Sequence, residues 1–276
     1  LLVDGGMFSA YFIIAFWFFA AFIERNYLKQ KNPIAKTVFP LAVIAVYSFI
    51  FGYISFEGFI YAYNKLKGNI LNSLYMTIPA TLISTIWGSW NGYILSKWKF
   101  RGSDVLFTLI LFGMFIPHQV VLIPLVVTLK AIGLYGSILG LILVHVIYGI
   151  PITTLIYRNY YAGIPAGMIE AARIDGANLF GIYTHIMFKI GAPAFAVASI
   201  YQFTSIWNDF LFALVVTQNP RIQPVTVALA NLAGSYYVEW NIQMAGALML
   251  TIVPVIVYIF LGRYFIKGLL AGSVKG

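Results

Sequence analysis

The sequence predicts an all-α protein, a polytopic transmembrane helical bundle of six or seven spans. Three observations predict it. Of the 276 residues, 61% are hydrophobic and 9% charged, against about 25% charged in an average soluble protein, and the mean hydropathy is +0.89. Apolar stretches lie at roughly 7–23, 37–55, 71–96, 104–127, 137–157, 190–216 and 244–266, and a helix needs about 20 residues to cross some 30 Å of hydrocarbon. The basic residues, finally, are segregated into alternate loops. A backbone in hydrocarbon must satisfy its own hydrogen bonds, so runs of this length read as helices.

In order along the chain, the stretch 7–23 is the shortest, and such a run also suits an interfacial segment or a signal-peptide core. The signal reading is the weaker one, because Leu1 to Gly6 carries Asp4 and no basic residue, and the run ends in Phe22-Ile23-Glu24-Arg25. It is expected as an extra span, which with the basic loop 24–36 makes an N-terminal region 1–36 ahead of a transmembrane domain 37–276. After the span 37–55 comes an external segment, 55–69, whose Phe56, Phe59, Tyr61 and Tyr63 suit an interfacial aromatic belt. The span 71–96 leads through a compact turn, 96–104, into 104–127. The span 137–157 is followed by a long polar segment, 159–189, then by the span 190–216, an outer loop 218–241, and the last span.

Prolines at 40, 79, 117, 124, 151, 193 and 254 lie in or at the ends of spans, where each removes a backbone donor and can bend a helix. Pro117 and Pro124 bracket one short stretch and are the pair expected to matter. His118, beside Pro117, reads as the mark of a helix end.

Placing 159–189 in the cytoplasm puts Arg25, Lys29, Lys31, Lys36, Lys97, Lys99, Arg101, Arg158, Arg173, Lys189, Arg263, Lys267 and Lys275 inside, and Lys65, Lys67, Lys130 and Arg221 outside. Thirteen against four is a strong positive-inside bias. Topology thus accounts for the net charge of +9 without nucleic acid. No cysteine is present, which removes disulfides and thiolate metal sites.

The segment from Ile164 to Gly176 reads as a short helix. Pro165 suits its first turn, Glu170 and Arg173 are spaced for an i,i+3 ion pair, and Gly176 stands where a helix ends. Ala171 and Ala172 leave one face flat, Met168 and Ile169 offer apolar anchors, and a second helix begins near Asn178. On physics alone this is an amphipathic connector.

The string resembles the "EAA" loop of ATP-binding-cassette importer permeases: Glu170-Ala171-Ala172, three residues, Gly176, then nine residues before Ile186. The longer string from Ile164-Pro165 to Ala177 is similar to the carbohydrate-importing, maltose-type branch. Asn72-Ser73-Leu74, Ile123-Pro124-Leu125, Gly133-Leu134, Trp207-Asn208-x-Phe210 and the tail from Gly268 to Gly276 resemble further stations of the same permeases, in the same order. The resemblance covers about 54–276. Two departures are the extra N-terminal span and Met187-Phe188-Lys189, where the family continues with Leu-Pro.

The resemblance implies a permease subunit of an ATP-driven sugar importer, forming half of the translocation pathway. It implies a cytoplasmic coupling helix with Met168, Glu170, Ala171, Ala172, Asp175 and Gly176 as ATPase-docking residues. Partners would be a dimer of ATPase subunits, a second homologous permease and an extracytoplasmic sugar-binding protein. ATP and Mg would be held by the partner ATPase, since no phosphate-cradling Gly-x-x-x-x-Gly-Lys string occurs here. The chain would lie in the plasma or inner membrane with its C-terminus in the cytoplasm and its N-terminus outside, and the cargo would be a glucose-type or other small sugar.

Polar residues inside spans are costly and therefore candidates for the substrate path. Asn91 with Trp87 and Trp90, and Trp207-Asn208-Asp209, pair aromatic faces with amide donors as a sugar requires. His145 and Gln202 suit structural hydrogen bonds between helices. Histidines at 118, 145 and 185 make no metal-ligand spacing, and no hydrolytic constellation is visible. Two alternatives remain open: a proton- or sodium-coupled transporter using Asp209 or His145, and an ATP-binding-cassette permease for a non-sugar solute such as a peptide or phosphate.

Overall fold

A computed structural model describes residues 56–233 and 239–273, with side chains over 58–233 and 239–262. The spans expected at 7–23 and 37–55 and the loop 24–36 lie outside the described residues. Contacts divide the chain into two units after Ile60, the second being Tyr61–Gly276.

Every described element is helical. Helix α1, Phe56–Lys97, has 42 residues and at 1.5 Å per residue is about 63 Å long, roughly twice the thickness of a hydrocarbon core. It absorbs residues 56–69 of the segment 55–69 expected to be an outer loop. The reason is a helical stripe hidden among polar residues: Ala62 and Leu66, four apart, are buried, while Tyr61, Tyr63, Asn64, Lys65 and Lys67 face outward.

The run expected as one span at 104–127 is broken. Helix α2, Ser103–Phe112, runs on through a 3-10 turn, Gly113–Phe115, and helix α3, His118–Ala131, leaves it at 98°. Pro117 has no N–H to donate and forces the preceding Ile116 into an extended conformation, ψ 118°. His118 therefore begins a helix and does not end one.

Helix α4, Ile138–Ala162, starts at Ser137, whose Oγ accepts the Gly140 N–H at 3.0 Å. Next come α5, Ala166–Ile174, and α6, Leu179–Ile190, which contains a π turn at Tyr183–Met187. A 74° bend leads into α7, Ala192–Trp207. The span expected at 190–216 stops at Trp207 and resumes as α8, Leu211–Val216, and the outer loop contains α9, Val225–Leu232. Helix α10 is Trp240–Ser273. By length and composition, three described helices are able to cross a membrane, with two bent pairs as further candidates.

Helix α7 lies against α10 and α4, and α1 crosses α4 at close range. A Cβ added at Gly88 would collide with the Thr153 side chain and come within 2.8 Å of its carbonyl carbon, and one at Gly92 would lie 2.5 Å from Tyr157 Cβ and 2.7 Å from Arg158 N. Ser84, Gly88 and Gly92 form a small-xxx-small series, the device that lets membrane helices touch backbone to backbone. Across this seam Thr153 Oγ1 donates to the Ser84 carbonyl at 2.9 Å, and Ser89 Oγ lies 2.8 Å from the Tyr161 hydroxyl. The rest of the α1 seam is also hydroxyl-rich, with Ser73, Thr77, Thr81 and Thr85 all buried.

Candidate functional site

Local chemistry sets both ends of α5. Pro165 occupies its N-cap in an extended conformation, φ −58° and ψ 136°. At the far end Gly176 takes φ +82°, its N–H bonds the Arg173 carbonyl at 3.0 Å, and the Ala177 N–H bonds the Ala172 carbonyl at 2.9 Å. This is a Schellman closure, which needs a left-handed residue at the position Gly176 fills. Asn178 then caps α6, its Oδ1 accepting the Gly181 N–H at 2.7 Å.

The two faces of α5 divide sharply. Ile169 and Ala172 point inward, into a cluster with Tyr93, Tyr157, Tyr161, Ile182, Tyr183 and Met187. Outward lie Met168, 41% exposed, Ile174, 86% exposed, and the exposed Glu170, Ala171, Asp175 and Gly176. Ala172 and Ile169 are thus corrections to the expectation: both hold the helix to the bundle and neither forms part of an outer face. The Glu170–Arg173 pair does not form either. Arg173 turns its guanidinium over the Trp98 ring, 5.1 Å from the centroid. Ile174 is the residue that reading the sequence missed as a surface anchor. Its signal was present, since an Ile one position before a helix's C-cap and out of phase with Ile169 has no inward face to occupy.

Lys97 joins this helix to the bundle. Its Nζ donates to the Ile164 carbonyl and reaches the Ala162 carbonyl at 3.5 Å, across the joint between α4 and α5. The Tyr93 hydroxyl donates to the Leu179 carbonyl at 3.2 Å, so α1 also grips the turn that follows.

The residues expected along a substrate path do not converge. Trp207 is 1% exposed, stacks on Phe203 at 6.0 Å and donates from Nε1 to the Leu250 carbonyl at 3.1 Å, which makes it a tie between α7 and α10. Asp209 accepts the N–H groups of Phe212 at 3.3 Å and Ala213 at 3.0 Å, capping α8. His145 Nε2 lies 3.4 Å from Asp209 Oδ2, and Gln202 Nε2 donates to the His145 carbonyl at 3.3 Å. Asn91 is half-buried, with Nδ2 3.4 Å from Thr154 Oγ1. Asn208 alone of the four is exposed, bonded only to the Thr204 carbonyl of its own helix. Among the described residues no group of three His, Asp or Glu side chains is placed to hold a metal.

Residues 80–270, which include α5 and the whole of its aromatic bed, match the family described as binding-protein-dependent transport system inner membrane component. The chain belongs to that family. This permease is 50% identical over 186 residues, 67% of its length and 68% of the relative's, to a Pyrococcus horikoshii protein described as a "probable ABC transporter permease protein". It is 34% identical to a xylose/arabinose import permease of Haloferax volcanii, covering 88% of this chain and 83% of that one. To a glucose import system permease of Saccharolobus solfataricus it is 33% identical, covering 81% of each. A chain of a solved bacterial transporter that imports the acidic polysaccharide alginate superposes with a TM-score of 0.62 at 24% identity, over 76% of this permease and 79% of that chain. That likeness establishes a shared fold. The permease is a membrane component of an ABC importer, a family of membrane subunits and not of ATPases.

Proposed function

We propose that this permease forms half of the translocation pathway of an ATP-driven sugar importer and that α5 is its coupling helix, seated in a groove of a partner ATPase. The observation that carries the reading is the two-sidedness of α5. Its inner face is locked into an aromatic cluster, while Met168, Glu170, Ala171, Ile174, Asp175 and Gly176 are turned away from the bundle. A helix held on one side and bare on the other transmits force from a partner to the bundle.

Closure of the ATPase dimer on ATP and Mg, both held by that partner, would move α5 as a rigid piece. Lys97 would pass the motion to α1, and Tyr161, bonded to Ser89, would pass it along α4. A substrate-loaded external binding protein would favour the same closure from the other side, because coupling between two sites is reciprocal. The positive-inside bias supports a cytoplasmic α5 and C-terminus. Six or seven spans, a second homologous permease and an interaction with lipid rather than nucleic acid complete the reading. Sugar as cargo rests on the xylose/arabinose and glucose relatives.

The test is to purify the chain gently from its native membrane and identify its companions by mass spectrometry. Recovery of an ATPase and a second permease, with the ATPase lost on Gly176→Asp or Glu170→Lys, is the expected result. Recovery of the chain alone from several detergents, or full transport and hydrolysis in both variants, overturns the docking role.

A further inference from the structure

Beside the α5 bed, where α1 and α4 end and α2 begins, the chain closes around a pocket of about 340 Å³. We infer that this pocket binds the phosphate headgroup of an anionic phospholipid drawn from the adjacent leaflet. The inference rests on the reading above that this end of the bundle is at the membrane surface.

Two cations line the pocket and they differ in kind. Arg158 is fixed: Nη2 donates to Asp104 Oδ1 at 3.0 Å, Nε to the Leu95 carbonyl at 3.4 Å, and the guanidinium lies over the Phe107 ring, 4.0 Å from its centroid. Lys99 lies on the exposed rim and has no hydrogen-bond or ion-pair partner among the described residues. The hydroxyls of Ser96 and Ser103 complete the polar wall, and Ser103 opens α2. The pocket therefore offers a fixed guanidinium, an exposed ammonium and two hydroxyls, a donor set that suits a phosphate.

Its position selects a lipid as the source. The pocket lies level with the ends of two helices long and apolar enough to cross the membrane, Gly58–Lys97 and Ile138–Ala162. From its rim, Val105, Leu106, Leu109 and Phe112 form an exposed apolar strip along α2, a track for an acyl chain whose headgroup is held at Lys99. Asp104, almost fully exposed, stands at the mouth as the one acidic side chain among the described lining residues, and it competes with the phosphate for Arg158. Removing the carboxylate should therefore tighten binding.

The experiment titrates the purified full assembly in detergent with phosphatidylglycerol, phosphatidylcholine or inorganic phosphate and counts bound molecules by native mass spectrometry. Phosphatidylglycerol is expected to bind best. Lys99→Gln should weaken it about fivefold, in line with one basic residue near a lipid surface, and Asp104→Asn should strengthen it. Both positions are exposed, so neither variant tests folding. Equal binding of the two lipids, an unchanged preference in Lys99→Gln, or displacement of phosphatidylglycerol by low-millimolar phosphate overturns the assignment. Retention of the ATPase is scored in the same spectra, so loss of lipid selectivity and loss of the importer assembly are read separately.

Discussion

Lys97, the last residue of α1, donates its ammonium to the carbonyl of Ile164, two residues before α5 begins. This ties the longest helix of the bundle to the joint ahead of the docking helix. A charge-assisted hydrogen bond of this kind contributes about 1.5–3 kcal/mol. Lys97→Met, which keeps the aliphatic stem, is expected to leave the assembly intact and to lower the solute transported per ATP hydrolysed several-fold. Hydrogen exchange across 163–175 should quicken at the same time. An unchanged transport-to-hydrolysis ratio would remove Lys97 from the coupling path.

Gly176 distinguishes folding from docking. No atom lies within 4 Å of a Cβ placed there, so the cost of a side chain is conformational, about 1–2 kcal/mol for the left-handed region and less for Asn or Asp. Gly176→Asn and Gly176→Asp should therefore melt within a few degrees of the parent. The Asp variant is expected to lose its ATPase in co-purification. A melting temperature that falls steeply in both would assign Gly176 a folding role alone.

The α1–α4 crossing predicts a contrast within a single helix. Gly88→Val and Gly92→Val force side chains into the backbone of Thr153 and Tyr157, and overpacking at rigid contacts costs about 1–3 kcal/mol or more. Gly68→Ala meets nothing within 4 Å and should gain up to about 1 kcal/mol of helix propensity. Thermal unfolding in one detergent by size-exclusion fluorescence gives the order: Gly68→Ala at or above the parent, both valine variants well below.

Asn208 and Asp209 are neighbours with separable roles. Asp209→Ala removes the cap of α8 and should cost about 1–2 kcal/mol of stability, with Asp209→Asn restoring part of it. Asn208→Ala breaks only a bond within its own turn and should leave stability unchanged while raising the KM for transport. Unchanged transport kinetics would exclude Asn208 from the substrate path.

What the sequence disclosed follows the range of the forces involved. Helix α5 was legible to within a residue or two, because Pro165 and Gly176 act on their own backbone, and Asn178 announces the next helix in the same way. The 98° break before His118 was only hinted at, since proline forbids a hydrogen bond without fixing the direction in which the chain leaves. Helix α1 was read too short because the Ala62 and Leu66 stripe is outnumbered by aromatic and basic neighbours. Trp207 and Ala172 were misplaced for a third reason. A tryptophan beside Asn and Asp has the composition of a sugar platform, and an alanine signals neither face, so their burial is decided by partners more than forty residues distant or by a cluster that only the fold assembles. The Arg158–Asp104 pair, 54 residues apart, carries no local signal at all.

The π turn at Tyr183–Met187 makes this stretch unequally tolerant of length changes. Such a turn carries one residue more than regular helix requires. Deleting one residue there relaxes it to ordinary helix with little rearrangement, whereas deleting one from the regular turns of α7 removes about 100° of winding. The latter change would rotate Gln202 and Trp207 off the faces that α4 and α10 receive. Tolerated single-residue deletions in this half of the permease should therefore cluster in a window of five residues, and a genetic screen for functional single-residue deletions would find them there.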